Sequence, residues 1–255
     1  KEKNYSINSI GKCIKELKTI LRAAESEGYE VNPKYKDKKF KGTRIEVDSI
    51  YLTRDDLSKI MSADISKLSQ GYDLARDIFM VGVWTAQRVS DYNNLSRENI
   101  KQHRIPKIID NKLVYKEFQT VEIRQKKTGS KVSVPVSSEL KSILERYDYQ
   151  LPHLEDQVLN RYMKDICKLA GLDDIVEVQT TKGGKAVKEF KQKWELVHSH
   201  TARRTGATLM YLAGMDYYDI MRITGHTSPT MLKKYIKADS IEVADKITDK
   251  YSYFD

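Results

Sequence analysis

Cysteine is nearly absent. The 255 residues contain two, Cys13 and Cys167, each set in a lysine-rich helical pattern. Two thiols cannot build a disulfide scaffold or a cysteine-based zinc site, and a reducing cytoplasm is the expected compartment. Long apolar runs are missing as well. The longest nearly apolar stretch, Ile78 to Trp84, falls far short of the ~18 residues that cross a bilayer. No charged-then-apolar leader opens the chain, so secretion is not expected. Asp and Glu do not cluster at metal-ligand spacing, and there is no Walker-type glycine loop, His-Glu-x-x-His pair or Gly-x-Ser-x-Gly elbow. Neither a metal nor a cofactor is therefore expected. Repeats and low-complexity tracts are also absent, and 40% hydrophobic residues with a mean hydropathy of −0.60 describe a soluble globular chain.

Positive charge is what the chain has in excess. Its 45 Lys and Arg face 36 Asp and Glu, giving a net charge of +9 and a pI near 9.2. Such a balance favours a polyanionic partner, of which nucleic acid is the commonest, although a basic enzyme surface would show the same total. Placement of the charge must decide. The length allows one or two domains at ~150 residues each. The first residue is Lys1, inside an amphipathic pattern, so a piece of a longer protein is expected.

Apolar residues recur every three or four positions from Ile7 to Ala24, which predicts a helix from about Ile7 to Ser26, stopped by Gly28 and Asn32-Pro33. The following segment, Lys34 to Arg44, carries six cations against Asp37 and reads as a basic interdomain linker. Thr53 opens a helix with Asp56 as a capping-box partner, and a buried helix spans about Tyr72 to Ala86. Between Leu113 and Val136 the pattern turns to strands, with Thr128-Gly129-Ser130 as a hairpin turn. Helices are expected at Ser138–Tyr147 and at about Asp156–Ala170. A second hairpin follows at Val176–Phe190, and the chain is helical again from Thr201 onward. The class is mainly α with a small antiparallel β-sheet.

The remaining chemistry-bearing residues are cations, histidines and tyrosines, a set suited to phosphate. A phosphodiester under in-line attack gathers negative charge on its non-bridging oxygens, and guanidinium groups neutralise that charge bidentately. His200 and Arg203 stand three apart and share a helix face. Gly225-His226 follows a helix, and Tyr235 comes nine residues after His226. Arg88 lies just past the buried helix, and Lys127 sits in the hairpin turn.

The order of Arg, hairpin Lys, His-x-x-Arg, Gly-His and then Tyr resembles the tyrosine recombinase (phage integrase) family. The stretches Ser199–Arg204, Ile223–His226 and Lys234–Lys237 are most similar to integrases of Bacteroides-type mobile elements. The resemblance implies that residues 51–255 form the catalytic domain and residues 1–33 the end of a helical domain that clamps the core DNA site. Residues 34–50 would join them. It implies that Arg88 and Arg203 grip the scissile phosphate, Lys127 protonates the leaving 5′ oxygen, and His200 assists proton transfer from the tyrosine. His226 would bond the phosphate or position the nucleophile. Tyr235 would be that nucleophile, held in a lysine-rich helix and forming a 3′-phosphotyrosine. Lys36, Lys38, Lys39, Lys41 and Arg204 are expected to touch DNA. Expected partners are double-stranded attachment sites, with four protomers assembled on DNA and a monomer without it. Accessory DNA-bending or directionality proteins would complete the set.

Two departures stand out: Ala86-Gln87 replaces the usual Gly-Leu-like pair before the first arginine, and Arg204 stands where His is frequent. Simpler roles compete at several positions. Arg88 could pair with Asp91 as an ordinary helix-end cation, and Lys126 and Lys131 flank Lys127. Tyr217, Tyr218, Tyr251 and Tyr253 compete with Tyr235. The lysines of the second hairpin, Lys182, Lys185, Lys188, Lys191 and Lys193, form either a solvated edge or a phosphate contact. His198 is expected to be structural or exposed, and His103 and His153 carry no assignment. A type IB topoisomerase and a non-cleaving DNA-binding accessory module are the rival functions.

Overall fold

The computed structural model describes residues 5–45 and 48–250. Among them the helices are α1 (Ile7–Ser26), α2 (Arg54–Ser62), α3 (Tyr72–Thr85), α4 (Val89–Tyr92), α5 (Ser138–Arg146), α6 (Asp156–Leu169), α7 (Ser199–Leu212), α8 (Tyr217–Thr224), α9 (Pro229–Lys233) and α10 (Ser240–Lys250). The strands are β1 (Ile100–Ile109), β2 (Lys112–Arg124), β3 (Lys131–Pro135), β4 (Ile175–Lys182) and β5 (Lys185–Gln192). No helix among the described residues is long and apolar enough to cross a membrane.

The chain divides into two compact units, Lys1–Ser49 with Ile175–Lys191, and Ile50–Asp174 with Gln192–Asp255. In the first, Ser6 caps α1 by accepting from the Ser9 amide at 3.1 Å. The basic segment after α1 begins with structure of its own. Pro33–Lys36 forms a 3-10 turn that buries Tyr35, whose hydroxyl donates to Glu25 at 2.6 Å. The β4–β5 hairpin, which the family resemblance places in the 51–255 segment, groups with these N-terminal residues. Ile7 donates its amide to Thr181 Oγ1 at 2.9 Å, and Gln179 donates to Asp48 at 3.1 Å.

In the second unit the core is built around α3, whose Ile78, Phe79 and Val81 are fully buried. Each such side chain contributes about 2 kcal/mol of burial free energy. Helices α5, α6 and α7 pack on α3. The α3–α7 crossing is close because Gly206 has no side chain: a Cβ there would lie 2.2 Å from the Val83 carbonyl oxygen. Two segments, the end of α3 and the start of α7, are thereby held against each other. The Thr53–Asp56 capping box forms with both its bonds, at 2.8 and 3.1 Å.

The sheet has the order β1-β2-β3, all antiparallel, and its core face carries Val121, Ile123, Val132 and Val134. Strand β1 was not expected from the sequence. It holds Pro106 and is exposed at nearly every position, so it lacks the apolar alternation of a half-buried strand. Strand β3 pairs only with Thr120–Arg124. The rest of β1 and β2 continues as a two-stranded ribbon to a tight turn at Asp110-Asn111, both at positive φ (50° and 58°).

Candidate active site

Arg203 lies one turn into α7 and is completely buried. Its guanidinium donates through Nη1 to the Ala86 carbonyl at 3.0 Å and through Nη2 to the Thr224 carbonyl at 2.9 Å. Nη2 also donates to His226 Nε2 at 3.2 Å. Its Nε is buried and has no hydrogen-bond acceptor among the described residues. Burial, and then the nearby Arg88 charge, pull its pKa down to about 10, so the group remains cationic at neutral pH.

His226 is held by that arginine on one side and by Thr224 on the other. The Thr224 hydroxyl donates to the Ile220 carbonyl at 2.6 Å, so at 2.7 Å it accepts from His226 Nδ1. The imidazole is therefore neutral with its proton on Nδ1. Burial, followed by Arg203 and Arg88, lowers its pKa to about 3, in keeping with that state.

Tyr235 sits in the turn just past α9 rather than inside a helix, half-buried, with its ring centroid 5.3 Å from the Arg203 guanidinium carbon. Its hydroxyl is 3.1 Å from His200 Nε2. Burial is the main cause of the low His200 pKa of about 4, with Arg204 and Arg203 adding to it. A neutral His200 can accept the phenolic proton on Nε2. His198 caps α7 by accepting from the His200 amide at 3.2 Å, and it has a pKa lowered to about 4, chiefly by burial. Arg204 Nη1 lies 3.5 Å from His198 Nε2.

Arg88 caps α4 from an extended backbone, and the preceding Ala86 is left-handed at φ 51°. Its Nη1 donates to Gln125 Oε1 at 3.2 Å, while Asp91 Oδ2 is 3.9 Å away. The nearer partner is thus an amide rather than the carboxylate. Asp91 Oδ1 instead accepts from the Lys126 amide at 2.9 Å, tying the β2–β3 turn to α4. Lys127 stands exposed in that turn and makes no ion pair among the described residues.

Gln87 and Gln125 were not anticipated as functional residues. Both are buried. Gln125 Nε2 donates to Gln87 Oε1 at 2.7 Å and to the Thr224 carbonyl at 2.8 Å, while its Oε1 accepts from Arg88 and from Thr128. Gln87 Nε2 donates to the Thr85 and Ile223 carbonyls at 2.9 and 2.7 Å. The pair joins the ends of α3, β2 and α8 beneath the two arginines. Gly225 makes room for it: at φ 71°, a Cβ there would come within 2.6 Å of the Gln125 amide. The only signal in the sequence was Gln87 standing where an apolar residue is usual.

The structure brings Arg88, His200, Arg203, His226 and Tyr235 together and leaves other candidates apart. Tyr217 packs edge-on to Tyr211, Tyr218 is 70% exposed, and Tyr251 and Tyr253 lie outside the described residues. His103 bonds Thr120, and His153 lies 3.1 Å from the Asn93 carbonyl. Of the linker lysines, Lys36 pairs with Glu25 at 2.7 Å, whereas Lys38, Lys39 and Lys41 are exposed. In the second hairpin, Lys182, Lys188 and Lys191 pair with carboxylates and Lys185 is exposed, while Lys193, just past β5, pairs with Asp56. Among the described residues no group of three or more His, Cys, Asp or Glu could hold a metal ion.

No curated protein sequence matches the chain. Solved structures do. A lambda integrase dimer bound to a COC′ core site aligns with 90% of this chain and 73% of its own, at 19% identity and a TM-score of 0.61. XerA recombinase aligns with 94% of this chain and 74% of its own, at 18% identity and a TM-score of 0.54. The Tn1549 transposon integrase, in complex with a circular intermediate DNA, covers 97% and 80% at 14% identity and a TM-score of 0.59. At these identities the likeness is one of fold. The model of the phage integrase family matches residues 51–241, which hold every member of the arginine, histidine and tyrosine cluster, and the chain belongs to that family, the tyrosine recombinases.

Proposed function

We propose that this protein is a site-specific DNA recombinase that cuts and rejoins strands through Tyr235. The observation that carries the reading is the Tyr235 hydroxyl set 3.1 Å from the neutral His200, beside the buried Arg203. Tyr235 Oη bonds to phosphorus as the bond to the leaving 5′ oxygen breaks, and the phenolic proton passes to His200 Nε2. Lys127 supplies a proton to the 5′ oxygen. The positive charges of Arg203 and Arg88 neutralise the charge that grows on the non-bridging oxygens. His226, fixed by Thr224 and Arg203, positions the nucleophile. In the second step a 5′-hydroxyl of the partner strand attacks the 3′-phosphotyrosine and gives its proton to Lys127, the tyrosine–phosphorus bond breaks, and Tyr235 recovers its proton from His200. One phosphoester replaces another, so no nucleotide is consumed.

The substrate in this reading is duplex DNA carrying attachment sites, on which four protomers assemble from monomers, with accessory bending or directionality proteins as further partners. The basic linker lysines Lys38, Lys39 and Lys41, together with Arg204, touch phosphates. Residues 1–33 are the end of a core-site-binding domain, and 51–255 hold the chemistry. The Ser199–Arg204 and Lys234–Lys237 stretches support a Bacteroides-type mobile element, and hence a bacterial cytoplasm, as the setting.

The test is covalent trapping on a pool of nicked suicide duplexes in EDTA, with mapping of the DNA-linked peptide. A 3′-phosphotyrosine at Tyr235 is expected, and Tyr235→Phe abolishes the adduct while binding is kept. An adduct that survives this substitution refutes the assignment. Relaxation of supercoils without exchange between two sites would favour a topoisomerase.

A further inference from the structure

The β1–β2 ribbon overhangs the sheet with no third strand beside it, and its two faces differ in charge. One face continues the core side and carries Arg104 paired with Glu117 at 3.4 Å, with the guanidinium 4.3 Å over Tyr115. The register puts Lys101, Lys107, Lys112 and Lys116 together on the opposite face. All four are exposed and none makes an ion pair among the described residues. From the Lys101–Thr120 rung, where β3 still pairs, to the turn, that face holds no carboxylate: its other members are Thr120, His103, Phe118, Ile105, Val114 and Ile109, and Glu122 comes next toward the sheet. Phe118 stacks on His103 with centroids 5.0 Å apart, and Lys116 extends over the same ring at 5.9 Å.

We propose that this ribbon is a second DNA-contacting arm, laying its lysine face on duplex phosphates away from the cleaved bond. The inference rests on the recombinase reading of Tyr235. Two physical arguments favour DNA over a protein partner. Lysine is depleted in the cores of protein interfaces, yet here each exposed apolar side chain of the face is bracketed by lysine. A two-stranded ribbon also has the cross-section that the major groove of B-DNA admits. Reach follows from length. Strand β2 runs 13 residues from the turn that carries Lys127 to the ribbon tip. At ~3.3 Å per residue that is about 40 Å, or about 12 base pairs of duplex at ~3.4 Å each.

The test compares the salt dependence of binding for the wild-type chain and for the combined substitution of Lys101→Gln, Lys107→Gln, Lys112→Gln and Lys116→Gln. Two duplexes centred on the trapped bond are used, one of about 40 base pairs and one of about 16. Each phosphate contact adds about 0.9 to the slope of log K against log salt. The wild type on the long duplex is expected to exceed the variant by a slope of about 3 to 4. Its affinity then falls roughly tenfold more than the variant's between 0.1 and 0.2 M salt. On the short duplex, which ends about 8 base pairs from the trapped bond, Lys107 and Lys112 near the tip find no phosphate, and the difference in slope shrinks to about 2 or less. The corresponding four Lys→Arg substitutions keep the wild-type slope, which separates charge from hairpin folding. Equal slopes on the long duplex, or a difference just as large on the short one, overturn the proposal. If self-association changes instead, the ribbon seats on protein. Failure of the recombinase reading shows separately, as the absence of any Tyr235 adduct with the wild type. Mixed-sequence duplexes of the same two lengths then still decide the arm.

Discussion

Replacing Gln125 with leucine removes the amide that joins Arg88, Gln87 and Thr224, and the structure says how much each loses. Arg88 loses its 3.2 Å acceptor and is left with Asp91 at 3.9 Å. Gln87 Oε1 loses its donor inside the core, while the Thr224 carbonyl keeps the Arg203 bond at 2.9 Å. One orphaned buried oxygen costs about 1–3 kcal/mol, so the variant should melt earlier yet remain folded against a typical stability of ~5–15 kcal/mol. The loss to catalysis comes through Arg88. A hydrogen bond to a charged group is worth about 1.5–3 kcal/mol, which corresponds to a cleavage rate lower by roughly 10- to 100-fold. The assay is single-turnover cleavage of the suicide duplex, run with an ordinary scissile phosphate and with a methylphosphonate in its place. A methylphosphonate carries no charge on its non-bridging oxygen and needs less from the arginines. If Gln125 acts by holding Arg88, the deficit shrinks on that substrate. A deficit equal on both substrates would refute the reasoning and reduce Gln125 to packing, as would a lowered melting temperature with an unchanged cleavage rate.

Three other outcomes follow from the same geometry. Lys127→Ala should cleave poorly, and a 5′-bridging phosphorothiolate, whose leaving group needs no proton, should restore the rate; no rescue would move the acid role to Lys126 or elsewhere. Gly225→Ala should lower the melting temperature, because it adds strain at φ 71° to a contact of 2.6 Å with Gln125; about 1–3 kcal/mol is expected by denaturant titration, and a neutral effect would contradict the packing described. His198, His200 and His226 titrate near 4, 4 and 3 in the fold but near 6.5 when unfolded, so the unfolded chain binds more protons between those values. Stability is therefore fully present above pH 6.5 and falls as the pH drops toward 4, with uptake of about three protons on unfolding near pH 5; a flat profile from pH 7 to 5 would show these rings to be solvated.

Much of the helical framework is legible in the sequence because burial imposes a period. The Ile7–Ser26 helix has the bounds its apolar stripe predicts, and the Thr53 cap forms as its spacing requires. Strand β1 escapes because both its faces are wet, so no alternation records it. In the site, the His200–Arg203 spacing puts both side chains on one helix face, and the order of the catalytic set came from family resemblance. Gln87 and Gln125 could not be read, since a buried amide and an exposed one look alike until their partners are known. The same holds for Lys182 and its neighbours, whose carboxylate partners emerge only when β4 pairs with β5.

The buried guanidinium of Arg203 has a consequence for how the resting protein meets its substrate. Each of its hydrogen bonds goes to a neutral acceptor: two peptide carbonyls and an imidazole lone pair. Asp91, the nearest acid named in this site, gives one oxygen to the backbone of the β2–β3 turn instead. A whole positive charge thus sits in the interior with no carboxylate hydrogen-bonded to it among the described residues, Asp91 acting on it only through space. Desolvation has already been met in the folded chain, and the matching anion is left to arrive from outside. On the proposed recombinase reading, the first phosphate to enter would complete an ion pair that the fold has kept half-built, and DNA would serve the site as a missing structural part as well as a reactant.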